Sequence, residues 1–88
     1  MRENNIKRIG GSKMGYSCEE YMHQIGLHIN FYRRKKGMTQ LQFASQVGIS
    51  PTYMSQIECG LVRKSVSLPL LIRIADVLEV DLVVFFEL

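Results

Sequence analysis

TQLQFASQVGISPTYMSQIECG, residues 39–60, is the stretch whose reading decides the fold. Thr39 and Gln42 stand at capping-box spacing, each side chain placed to accept from the other's backbone N–H, so a helix is expected to begin after Thr39. Phe43, Ala44 and Val47 fall on one face of that helix. Gly48 is placed to take the left-handed conformation that stops it. Ile49 is expected to plug the corner, Ser50 to cap a second helix, and Pro51 to fill its first position, where a missing N–H does no harm. Met54 and Ile57 then turn inward, which leaves Thr52, Tyr53, Ser55 and Gln56 facing out. The spacing thus predicts two short helices held at an angle by a glycine turn, the second with a polar outer face.

Upstream, Ser17 and Glu20 form another capping box, and Met22, Ile25, Ile29 and Tyr32 recur at helical steps until Gly37 ends the run. Arg33, Arg34, Lys35 and Lys36 close this helix, where cations suit the negative end of the dipole. Downstream, residues 61–66 read as a basic loop carrying Arg63 and Lys64. Ser67 caps a fourth helix with Pro69 in its first turn and Leu68, Leu71, Ile74, Ala75 and Leu78 inward. Leu70, Ile72 and Val77 fall off that stripe. Asp81 is placed to cap a last short helix over 82–87; if that helix only closed the chain's own core, this would account for Leu82 and Phe86 but not for Val83 and Val84. The remaining apolar residues of that helix exceed what one buried face uses, so a partner surface is expected there.

Eighty-eight residues allow one domain, and 47% hydrophobic with 22% charged residues is ordinary for a folded soluble chain. No apolar run is long enough to predict a membrane span. A net charge of +3 says little by itself, but the distribution says more: between residues 33 and 64 the only acid is Glu58. Cys18 and Cys59 form no C-x-x-C pair and the N-terminus lacks a secretory pattern, which together point to a reduced, cytoplasmic setting. Cys18, His23 and His28 sit five residues apart, a poor spacing for a shared metal on a helix, so no metal site or cofactor is expected and a polar His with a partly buried thiol is the better account. Residues 1–16 carry Arg2, Lys7, Arg8 and Lys13 against Glu3, with Gly10, Gly11 and Gly15; they read as a flexible basic arm, able to reach DNA, or as an expression remnant.

Gln40, Ala44, Gly48, Ser50, Ser55, Ile57, Glu58 and Gly60, with Arg33 seven positions before Gln40, resemble the Cro/C1-type (XRE) helix-turn-helix regulators. The resemblance covers about residues 22–87. Thr52-Tyr53 with Ser55, Ile57 and Glu58, and the ending Val83-Val84-Phe85-Phe86-Glu87, look most like the controller proteins of restriction-modification systems. The resemblance implies an all-α, five-helix lambda-repressor-like domain over residues 17–88, preceded by the arm and closed by a dimerisation helix. It implies a sequence-specific double-stranded DNA-binding transcriptional regulator, a repressor or controller, acting on a palindromic operator as a homodimer.

Residue by residue, the same resemblance makes Gln40 a phosphate contact beside the free N–H groups of its helix start, and makes Arg33 and Glu58 an internal ion pair. Pro51, Thr52, Ser55 and Gln56 take the base-reading positions, with Ser50 on the same surface. Gln56 is suited to adenine and the Thr52 methyl to thymine. Tyr53 is expected at a phosphate or sugar. Arg34, Arg63 and Lys64 are the further backbone candidates, and Leu82, Val83, Val84 and Phe85 the dimer surface, with Leu70 or Ile72 possible contributors. Pro51 departs from the pattern, because relatives tend to carry a long polar reader there, so part of the specificity is expected to come from DNA shape.

An enzyme is disfavoured: the chain has no nucleophile-base arrangement, phosphate-cradling glycine loop or paired carboxylates in context, and no small-molecule substrate is indicated. The competing reading is an antitoxin or adaptor, in which the same fold grips a protein through Phe85 and Phe86.

Overall fold

The computed structural model describes residues 17–61 and 66–87. The basic arm at 1–16, the centre of the loop that carries Arg63 and Lys64, and Leu88 lie outside the described residues. Four α-helices follow one another, α1 (Cys18–Lys35), α2 (Gln40–Val47), α3 (Pro51–Cys59) and α4 (Leu68–Leu78), and a 3-10 helix, Leu82–Phe86, closes the fold. No strand occurs among the described residues.

The expected punctuation is present. Ser17 with Glu20 and Thr39 with Gln42 form complete capping boxes, and the hydroxyls of Ser50 and Ser67 accept from the N–H groups of Tyr53 and Leu70. Gly48 takes φ 89° and ends α2. Glu79 ends α4 at φ 58°, the one non-glycine residue in the left-handed region among the described residues. That conformation disfavours a Cβ, and here it is combined with an ion pair to Lys36 at the end of α1, 2.6 Å away.

Phe43, Phe85, Ile29, Met54, Ile57 and Ile74 are fully buried and form the centre of one core. Each such burial contributes about 1.5–3 kcal/mol, set against the entropy of ordering the chain. α1 is the spine of the molecule, packing on α3 along one side and on the 3-10 helix along another, while α2 bridges α3 and α4. Ile49 packs against the core at the turn, as expected. Gly26 allows the close crossing of α1 and α3, since a Cβ there would stand 2.8 Å from the Glu58 carbonyl oxygen.

Several expectations are corrected. Leu70 is buried while Leu68 is 55% exposed, so the inward stripe of α4 is Leu70, Leu71, Ile74, Ala75 and Leu78. Leu68 is the first helical residue and overhangs the packed face. The last element is 3-10 rather than α, and Asp81 makes no side-chain cap. At three residues per turn, positions i and i+3 eclipse, so Leu82 and Phe85 share the inner face and Val83 and Phe86 the outer. Phe85 is accordingly fully buried and Phe86 is 41% exposed, the reverse of their expected places. Both cysteines are exposed.

Candidate nucleic-acid interface

α3 presents the polar face expected of it. Pro51, Thr52 and Gln56 are exposed, Tyr53 and Ser55 are half-buried, and Met54, Ile57 and Glu58 point into the molecule. Tyr53 also packs against the core, which restricts it more than the exposed Thr52 and Gln56. The Ser50 hydroxyl is engaged in the cap, 3.0 Å from the Tyr53 nitrogen. What the hydroxyl gives α3 directly is therefore a fixed start.

Behind this face lies a buried carboxylate. The Glu58 side chain is 2% exposed and meets Arg33 in a fork: Nε donates to Oε2 at 2.8 Å and Nη2 to Oε1 at 3.1 Å. Arg33 also donates through Nη1 to the Met38 carbonyl at 2.8 Å, so its guanidinium is committed to the interior. Two further donors reach Glu58 Oε1, the Asn30 amide at 2.7 Å and the Gln40 amide at 3.0 Å. Side chains from α1 and α2 thus converge on one carboxylate of α3. Asn30 has no signature in the sequence, because a neutral amide 28 residues from its partner looks like any polar helix residue.

Gln40 stands at the first position of α2, next to backbone N–H groups that a helix start leaves without intrahelical acceptors. Those N–H groups, the positive end of the helix and the amide favour an anion at this point. Leu41 beside it is exposed. Of the basic run, Lys36 is engaged by Glu79 and Lys35 lies 6.0 Å over the Phe31 ring. Arg34 is exposed, on a shallow groove it lines with Asn30, Phe31 and Lys35. No group of three potential metal ligands occurs among the described residues, and no described helix is long and apolar enough to cross a membrane.

At the far end, His28 Nδ1 donates to the Phe85 carbonyl at 3.0 Å and so helps hold the 3-10 helix on α1. Of the four expected dimer residues, the structure removes Phe85, which is wholly interior, and leaves Leu82 and Val84 half-buried on the core. Val83 is 62% exposed, and Phe86 accompanies it. Leu70 is interior as well, whereas Ile72 is exposed.

Residues 29–85 match the HTH_3 helix-turn-helix family model. The chain is 38% identical over 63 residues to the HTH-type transcriptional regulator SlrR of Bacillus subtilis (strain 168), a match covering 72% of this chain and 41% of SlrR, so it spans well under half of that relative. Among solved structures, it resembles the biofilm master regulator SinR in complex with DNA, with TM-score 0.66 and 30% identity over 72% of this chain and 98% of that one. It also resembles the restriction-modification controller protein C.AhdI from Aeromonas hydrophila, with TM-score 0.68 and 25% identity over 74% and 96% of the two chains. With its capped, braced and outward-facing α3, the chain belongs to the HTH_3 helix-turn-helix family of Cro/C1-type DNA-binding transcription regulators.

Proposed function

We propose that the chain is a sequence-specific regulator of transcription in the cytoplasm, a repressor or controller, that binds a palindromic double-stranded operator as a homodimer. The observation that carries this reading is the bracing of α3. Its polar face is exposed while the Glu58 carboxylate beneath it is tied to α1 and α2. Such a helix can enter a major groove without losing its orientation. Gln56 and Thr52 read base edges, Ser55 discriminates less, and Pro51 gives van der Waals contact only. Gln40 and Arg34, with Arg63 and Lys64 of the loop, hold the backbone and set the register. The exposed Val83 and Phe86 supply the apolar contact between two copies, and a two-fold pairing suited to a palindrome sets the two recognition helices about 34 Å apart. That SinR is solved on DNA supports the same use of the fold here.

A second reading, a protein-binding antitoxin or adaptor, draws on the same exposed Val83 and Phe86 and on Leu27 and Phe31 of α1. A salt titration with random-sequence duplex separates the two. DNA binding predicts affinity falling steeply as salt rises. No binding even at low salt sinks the DNA reading and leaves the adaptor. Selection from a random duplex pool then gives base preference and half-site spacing together.

A further inference from the structure

We propose that Asn30 is a positioning residue for the backbone contact made by Gln40, an inference that rests on the DNA-binding reading above. The argument concerns how a buried carboxylate distributes its donors. Glu58 is nearly sealed from water, so its oxygens must be satisfied by protein groups. Oε2 receives Arg33 Nε, while Oε1 receives Arg33 Nη2, Gln40 Nε2 and, at the shortest distance of 2.7 Å, Asn30 Nδ2.

The Gln40 nitrogen carries two hydrogens, one of which goes to Glu58. A phosphate offers only acceptors, so the second hydrogen of that same nitrogen is the one that meets it. Asn30 keeps the amide from being drawn deeper: its donation to the same Oε1 shares the demand of that buried oxygen, and the second hydrogen of Gln40 Nε2, which points away from the oxygen its twin already meets, is left for another acceptor. Without Asn30, a buried acceptor loses a partner, and the Gln40 amide is the adjacent donor free to turn further inward. The phosphate contact then weakens although neither Gln40 nor the DNA-facing surface has been altered. Asn30 itself touches no DNA in this arrangement.

The contact is with the backbone, so a random-sequence duplex of about two helical turns is a sufficient probe. Its affinity for wild type, Asn30→Ala, Gln40→Ala and the double variant is measured at one low salt concentration, below the melting temperature of each protein. If Asn30→Ala does not fold, Asn30→Leu, which fills similar space without a donor, replaces it. Each single change is expected to weaken binding roughly three- to tenfold, the range of one lost hydrogen bond. The double variant is expected to bind no more weakly than Gln40→Ala alone, since Asn30 acts only through Gln40. Losses that multiply, or an Asn30 variant that binds like wild type, overturn the inference while leaving the DNA reading intact. A wild type that fails to bind overturns both.

Discussion

Glu58 sits in the last turn of α3 with its charge turned away from solvent, and a single substitution there tests the brace. Removing one partner of a buried ion pair leaves the other uncompensated, so Glu58→Ala is expected to lose about 3–5 kcal/mol in chemical denaturation. Nothing in the order of residues hints at the two amides that share this carboxylate. Arg33 and Glu58 were legible because the family resemblance pairs them; Asn30 was not, since which amide fills a buried acceptor depends on how two helices cross. The outer residues divide by what they touch. Gln56→Ala is expected to flatten base preference in a site-selection experiment by about 1–3 kcal/mol at one position, whereas Gln40→Ala lowers affinity for every duplex alike. The reverse pattern would mean that α3 is turned differently in the groove.

Helix starts and stops were the most readable elements, because a cap is a local contact between residues three apart and needs no knowledge of the rest of the fold. The ends of α4 and the chain were harder. Leu68 and Leu70 exchange places because a helical wheel weights every position equally, while the first residue of a real helix extends beyond its neighbours. Phe85 and Phe86 exchange places because the last turn winds at three residues instead of 3.6. This exchange separates stability from assembly. Phe85→Ala is expected to cost about 3–5 kcal/mol in unfolding free energy as a core cavity. Val83→Asp is expected to leave the melting temperature of the monomer nearly unchanged and to yield a single-copy mass by sedimentation. A Val83→Asp protein that still sediments as a dimer would exclude this face.

For the whole molecule, the electrostatics turn on a link between helix ends far apart in sequence. The hydrogen bond from Lys36, and then its charge, hold the Glu79 carboxyl below the usual glutamate range. A carboxyl lowered on folding adds stability that is fully present above about pH 4.3, the ordinary glutamate value, and is lost as pH falls through the lower folded value. Glu79→Gln is therefore expected to show a shallower loss of melting temperature between neutral and acid pH than wild type. The pair is exposed, so added salt should shrink the difference. Parallel pH profiles for the two proteins would show that the pair has no effect on folding.

α1 has a consequence beyond its own packing, because it touches both α3 and the closing 3-10 helix. At about 1.5 Å per residue its 18 residues run for about 27 Å. In a two-copy assembly such a bar acts as the beam of a calliper, with a reading jaw on one flank and the joint between copies on another. A calliper with a rigid beam measures distance. Operators with one base pair added between half-sites, which swings one half by roughly a tenth of a turn, should lose affinity in a band-shift series even with every base contact preserved. Any tolerance that remains should follow the flexibility of the central steps, so that TA-containing spacers are bound better than stiff ones, because the duplex bends to fit the gauge.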